Sequence, residues 1–123
     1  MIQMTKSELF YERQYSFALR CQQLTQKLVI SASNKIYVDQ LLRSSSSIGA
    51  NYIEALEGLS KRDFGHRLKI CRKEARESVH WLRLIRDSNL NIHKPTSDSI
   101  AELIAEANEL KRILSASIKT LER

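Results

Sequence analysis

The fold is decided by residues 64–85, FGHRLKICRKEARESVHWLRLI, where small or apolar side chains recur at steps of three or four. The recurring positions are Phe64, Leu68, Cys71, Ala75, Ser78, Leu82 and Ile85. At about 100° per residue they fall on one face of an α-helix. The preceding Ser60-Lys61-Arg62-Asp63 is typical of a helix N-terminus, with Asp63 near the positive end of the dipole. These residues therefore predict a long helix that buries one stripe.

Two helices with the same spacing are predicted before it. The first begins at Thr5, because Thr5-Lys6-Ser7-Glu8 fits a capping box, and should end near 30–32. For the second, Ser33 or Asn34 is the expected N-cap, and Gly58 stops the helix as a C′ residue. The serines at 44–47 are predicted to stay helical, since the apolar spacing continues in phase through them, and to let another helix approach closely.

A fourth helix is predicted from about Asp98 to Leu121, after a break at 89–97 that holds the only proline. Helices of roughly 25 residues are about 35–40 Å long. The turns between the first three are short, so neighbouring helices must run antiparallel. The predicted fold is all-α, an antiparallel up-down-up-down four-helix bundle that forms a single domain over residues 1–123.

Composition supports one small helical domain and argues against a membrane or secreted protein. The chain has 123 residues, of which 42% are hydrophobic, with only three glycines and one proline. It contains no apolar run of about 20 residues, and Met1–Leu9 lacks the pattern of a secretory signal. Cys21 and Cys71 lie on core stripes; a disulfide is possible, but two reduced thiols are favoured, which suits a cytoplasmic protein.

The net charge of +6 is concentrated in one segment. Residues 59–94 contain ten basic and four acidic side chains, an excess equal to that of the whole chain. On the predicted third helix, one arc at about 60–180° from the core stripe collects most of the cations. This basic arc consists of Lys61, Arg62, Lys69, Arg72, Lys73, Arg76 and Arg83.

The basic arc has two interpretations. It is either a solvated face of a surface helix or a surface that binds nucleic acid. Like charges at i, i+3 and i+4 cost stability, and bound phosphates would offset that cost. Because no aromatic residues interleave the arc, binding would be to the backbone and largely independent of sequence.

Another arc of the third helix carries apolar residues that a bundle does not need. Ile70, Trp81 and Leu84 lie there among the charged residues Asp63, Arg67, Glu74 and Glu77. They either widen the core seam or form a subunit interface, where Trp is enriched and charges surround apolar groups. We favour the interface, which predicts a homo-oligomer. The predicted interface residues are Ile70, Glu74, Glu77, Trp81 and Leu84.

No catalytic or metal chemistry is predicted. Glu77-Ser78-Val79-His80 has the Glu-x-x-His spacing of di-iron bundles, but those sites need a second such motif and two more inward carboxylates. The chain has no Gly-rich phosphate loop and no Gly-x-Ser-x-Gly elbow. We expect no cofactor and no enzyme activity.

A set of motifs between residues 40 and 84 resembles a known group. The motifs are Leu41-Leu42-Arg43-Ser44, Ser47-Ile48-Gly49-Ala50-Asn51, Glu54-Ala55, Lys61-Arg62-Asp63-Phe64, His66-Arg67-Leu68-Lys69-Ile70, Lys73-Glu74-Ala75-Arg76-Glu77 and Trp81-Leu82-Arg83-Leu84. Their combination resembles bacterial four-helix-bundle proteins encoded in intervening sequences of large-subunit ribosomal RNA genes. That group is related to the accessory variability determinant proteins of diversity-generating retroelements.

The resemblance implies a ring-like homopentamer with a basic surface. In the retroelement relatives that surface binds nucleic acid and a reverse transcriptase. It also implies that Asn51 and Glu54 form a polar pair on the second helix. On physical grounds, a buried Asn can fix helix register, and Glu54 could meet a base on the third helix. The protein is therefore predicted to be a homo-oligomer that binds nucleic acid, with RNA favoured over DNA as the ligand. The alternative is a scaffold for an acidic protein partner or a reverse transcriptase.

Overall fold

The computed structural model describes residues 3–123, so Met1 and Ile2 of the predicted domain lie outside the described residues. It contains four α-helices and, within those residues, no strand. The helices are α1 (Lys6–Thr25), α2 (Ala32–Leu56), α3 (Lys61–Ser88) and α4 (Lys94–Leu121). The predicted all-α class is confirmed.

The four helices form an antiparallel up-down-up-down bundle. The linking segments 26–31, 57–60 and 89–93 are too short to run back along a helix about 30–42 Å long. Side chains confirm the antiparallel register: Asn34 at the start of α2 bonds Asn89 after α3, and Asn51 near the end of α2 bonds Arg67 near the start of α3. Helices that are consecutive in the chain pack on each other, and α1 closes the bundle against α4.

The helix starts follow the capping chemistry, with one correction. Thr5 and Glu8 form the predicted capping box, and the Ser60 hydroxyl accepts from the Asp63 amide. The N-cap of α2, however, is Ser31, whose hydroxyl accepts from the Asn34 amide at 3.1 Å. Asn34 instead lies inside the helix, where its side-chain amide donates to the Val29 carbonyl and to Asn89.

The predicted end of α1 was wrong, and that of α2 was right in position but differs in backbone conformation. α1 ends at Thr25 rather than near 30–32, because the Lys27 and Leu28 amides donate to carbonyls three residues back and tighten the last turn. α2 ends at Leu56 with Glu57 as its C-cap, so Gly58 is the C′ residue as predicted, but it lacks the left-handed conformation typical of a C′ glycine. Its amide donates to Ala55 at 3.1 Å, so the chain leaves α2 in a tight right-handed turn.

The start of α4 was also predicted four residues late. The helix begins at Lys94, and Pro95 stands in its first turn rather than in the preceding loop. A proline is tolerated there because amides of the first turn have no intrahelical acceptor. Among the described residues, no helix is long and apolar enough to cross a membrane.

One core runs the length of the bundle. Its fully covered large side chains include Phe17, Leu41, Ile48, Leu68, Leu82, Ile85, Ile100, Leu103, Leu110 and Leu114. The serine run stays helical, and the Ser44 and Ser78 hydroxyls lie 2.9 Å apart where α2 meets α3. Cys21 and Cys71 are separate buried thiols, and burial raises the pKa of each to about 12, so both stay protonated at neutral pH.

Candidate nucleic-acid interface

An open groove of about 520 Å³ lies on the outer seam between α3 and α4. None of the side chains that line it is acidic. We call this surface the basic groove; it is lined by Lys69, Arg72, Lys73, Arg76, Asn108, Lys111, Arg112 and Ser115. Two helices therefore present cations to one shared space.

Helical spacing and antiparallel packing determine where these cations lie. On α3, Cys71 and Ala75 are buried, so Arg72 and Arg76, one residue further on, emerge at the edge of the same face. On α4, Leu110 and Leu114 are buried in the same way beside Lys111 and its neighbours. Arg72 Nη1 lies 3.5 Å from Ser115 Oγ across the seam, so the two helices are close enough there to form one groove.

The cations of the groove are only partly neutralised by acidic neighbours. Lys69 pairs with Glu122 at 3.0 Å, and Arg112 pairs with Glu109 on its own helix. That hydrogen bond raises the pKa of Arg112, which is therefore charged at any physiological pH. Among residues 3–123, Arg76 and Lys111 have no carboxylate within 4.0 Å. The groove thus has a strongly positive centre.

A second hollow continues the groove toward the start of α3. It is lined by Lys61, Arg62, Gly65, His66, Lys69, Ile118, Leu121 and Glu122, and shares Lys69 with the basic groove. A Cβ atom at position 65 would lie 2.9 Å from Leu121 Cδ2, so the glycine lets the end of α4 lie close. From Lys61 to Arg76 the cations span about 22 Å of helix.

The structure divides the predicted basic arc. Six of its seven cations line the two hollows, whereas Arg83 is exposed on α3 beyond them. Lys111 and Arg112 were not predicted from the sequence, because the segment that contains α4 carries no excess charge. A signal for them was available: both follow a core leucine of α4, on the edge that an antiparallel α3 would face.

Two of the five predicted interface residues have partners within the chain. Glu74 is 6% exposed and accepts a hydrogen bond from Arg43 at 3.1 Å. Glu77 accepts one from the same guanidinium, which lies on α2. These carboxylates therefore fix α3 to α2. Glu77 of the Glu-x-x-His spacing is thus engaged with Arg43, and His80 is exposed.

The apolar members of the predicted interface are partly covered. Trp81 packs against the core and lies 6.3 Å from Tyr37 between ring centroids. Ile70 and Leu84 are half-buried on the same side of α3. Trp81 thus widens the core seam, which was the other interpretation of these residues. A subunit contact at this surface stays a prediction.

Of the two residues of the polar pair expected on α2, Asn51 contacts α3 as predicted and Glu54 does not. Asn51 accepts from Arg67 at 3.1 Å and donates to the Ser47 carbonyl, so it ties α2 to α3. Glu54 is exposed and has no cation within 4.0 Å in the described part of the chain. The expected pairing of Glu54 with a base on α3 was wrong, and the guanidinium of Arg67 donates to Asn51 instead.

These features define an antiparallel four-helix bundle with a basic groove between its last two helices. A family model described as 23S rRNA-intervening sequence protein matches residues 6–116, and the chain belongs to that family. The resemblance in the sequence is thereby confirmed.

One solved structure is similar over nearly the whole chain. It is a crystal structure of a protein of unknown function from the S23 ribosomal protein family of Bacteroides thetaiotaomicron. The two sequences are 31% identical, the similarity covers 94% of this chain and 99% of the other, and the TM-score is 0.79. A search of curated proteins found no match.

Proposed function

We propose that this protein binds nucleic acid, RNA in preference to DNA, through the basic groove. The observation that carries the proposal is the convergence of six cations from two helices on a groove without acidic lining. Phosphate groups are the ligands that such an arrangement recognises, since Lys and Arg contact them directly and release counterions.

The lining of the groove predicts how the nucleic acid is held. It contains no aromatic side chain on which an unpaired base could stack. Its neutral members, Asn108 and Ser115, supply hydrogen bonds suited to phosphate or sugar hydroxyl groups. Recognition is therefore of the backbone and independent of sequence. A duplex, whose phosphate rows are fixed in space, fits this mode better than a single strand.

Two further points bear on the choice of RNA as the ligand and on the number of binding sites in an oligomer. The description of the family names 23S rRNA, and on that association we propose RNA rather than DNA as the ligand. We also propose that the protein acts as a homo-oligomer, as the resemblance implies. An oligomer presents several basic grooves at once, which raises avidity for a long polyanion without any new contact.

Fluorescence anisotropy with labelled ligands of equal length tests the proposal. At low salt we expect micromolar or tighter binding to a 20-base-pair RNA duplex, with an affinity about tenfold lower for the single strand, where stacking would be needed. If the protein binds neither RNA nor DNA at low salt, the proposal fails. A protein partner that survives nuclease treatment in a pull-down would then favour the scaffold alternative.

A further inference from the structure

The second hollow, where the start of α3 meets the end of α4, differs chemically from the basic groove. Its lining combines the cations Lys61, Arg62 and Lys69 with apolar surface and one aromatic ring. The lining of the basic groove contains no apolar residue and no ring. The second hollow therefore offers a ligand more than contacts for phosphate.

The apolar surface forms the floor of the second hollow. Ile118 is buried, and Leu121 is half-buried beside it on the last turn of α4. Because Gly65 has no side chain, Leu121 Cδ2 lies close to the backbone of α3. The hollow has a volume of about 540 Å³, which lies in the range of about 300–1,000 Å³ typical of small-ligand sites. A planar apolar group can therefore lie on this floor.

His66 and Arg62 stand beside the floor, one helical turn apart on the same face of α3. Both side chains are exposed. Proteins hold an unpaired RNA base by stacking it on an aromatic ring, such as that of histidine, or on the plane of an arginine guanidinium. Together with the floor, these two side chains form a site suited to one base.

Charged groups around the second hollow favour a ligand with a phosphate over a neutral one. Lys61 and Arg62 are exposed, and neither has a carboxylate within 4.0 Å in residues 3–123. One acidic side chain lines the hollow, that of Glu122, which pairs with Lys69 at 3.0 Å. Both members of this pair are more than half exposed, so the pair contributes little and a phosphate can replace the carboxylate. The rim is therefore suited to the phosphate of a nucleotide whose base lies on the floor.

We propose that the second hollow holds an unpaired nucleotide at the end of an RNA strand whose paired part lies on the basic groove. The two surfaces share Lys69, so one strand can follow the cations of α3 from Arg76 to Lys61, where the helix begins. There the base rests on the floor beside His66, and its phosphate contacts Lys61 and Arg62. The inference rests on the proposed RNA binding and deepens it, since it names the kind of RNA as a duplex with an unpaired end.

Fluorescence anisotropy with matched duplexes tests the inference. The probes are a blunt 20-base-pair RNA duplex, the same duplex with unpaired adenosines at its 3′ or 5′ ends, and the corresponding duplexes with abasic nucleotides, which keep the phosphates and lack the bases. Wild type is expected to bind one of the adenosine-extended duplexes about tenfold more tightly than the blunt duplex, because one base gains a stacking surface. The matching abasic extension should lose most of that gain.

The outcomes separate this inference from the proposed function. Wild type that binds the blunt duplex but gains nothing from either extension would overturn the inference and leave the proposed function intact. An equal gain from abasic nucleotides would have the same meaning, because the base would then make no contact. Wild type that binds no RNA would overturn both.

A free nucleotide is the other source of the same chemistry. Adenosine 5′-monophosphate, added as a competitor, carries the base and the phosphate without a duplex. It should bind at least about 100-fold more weakly than the extended duplex, because the basic groove adds nothing to its affinity. Equal affinity would assign the hollow to a free nucleotide and overturn its assignment to an RNA end.

His66→Ala tests whether the second hollow is the site. Because the ring is lost while the cations Lys61, Arg62 and Lys69 remain, the preference for the extended duplex should fall at least about threefold, with affinity for the blunt duplex within about twofold of wild type. His93→Ala is the matched control, since His93 is exposed at the opposite end of the bundle and its side chain makes no capping hydrogen bond with α4. This control should keep the wild-type preference. If His66→Ala, shown by circular dichroism to be folded, also kept it, the second hollow would not be the site.

Discussion

Changing Lys69, Lys73 and Arg76 together to Glu is expected to weaken RNA binding at least about 100-fold at moderate salt. Each substitution removes a cation that would contact phosphate and places an anion in the same groove. The three residues lie on the outer side of α3, where none of them is buried. The bundle should therefore remain folded, and anisotropy with the 20-base-pair RNA duplex measures the loss.

A control variant separates the groove from net charge. Lys6, Arg20 and Lys94 are cations outside the lining of the basic groove, and changing them to Glu alters the net charge equally. Surface ion pairs such as that of Arg20 with Glu102 contribute little, so this variant should also fold. We expect it to lose less than about tenfold in affinity, by long-range electrostatics alone. Equal losses in the two variants would mean that no particular surface binds RNA.

Replacing Ser78 by Leu is expected to destabilise the protein by about 2–4 kcal/mol, since overpacking and a lost hydrogen-bond partner add together. Ser78 is fully buried, and its hydroxyl lies 2.9 Å from that of Ser44 on α2. A leucine there forces α2 and α3 apart and leaves the Ser44 hydroxyl without that partner. Urea unfolding followed by circular dichroism measures the change in the free energy of unfolding.

Ser117→Leu is the matched control for this prediction. Ser117 lies in α4 and is exposed, so the same substitution meets no neighbouring helix. Its free energy of unfolding should change by less than about 0.5 kcal/mol, as for most surface substitutions. If Ser78→Leu were as stable as Ser117→Leu, the close approach of α2 and α3 at the serine run would be refuted.

The architecture could be predicted because each helix repeats a local pattern. The stripe from Phe64 to Ile85 and the capping box at Thr5 both depend on residues within a few turns of one another. The helix ends could not be predicted as well. Pro95 is compatible with either a loop or the first turn of a helix, and Gly58 is compatible with either a left-handed or a right-handed backbone conformation. Packing of the neighbouring helices decides between these states.

Only half of the candidate site could be predicted from the sequence. The cations of α3 stood out because their helix holds the charge excess. Those of α4 become part of the groove only through the register of two helices, which no single-helix pattern contains. The same limit applies to a hollow between α1 and α2, which Tyr15 and Ile53 line together although neither helix's own pattern contains it.

The most direct test of the central claim, that the basic groove holds phosphates, is the salt dependence of RNA affinity for the wild type and for Arg76→Ala. A plot of log affinity against log salt should be steep for the wild type and shallower by about 0.7–0.9 for the variant, because one phosphate contact is lost. Lys6→Ala, outside the groove, should keep the wild-type slope. Equal slopes for the wild type and Arg76→Ala, or a flat wild-type plot, would contradict the claim.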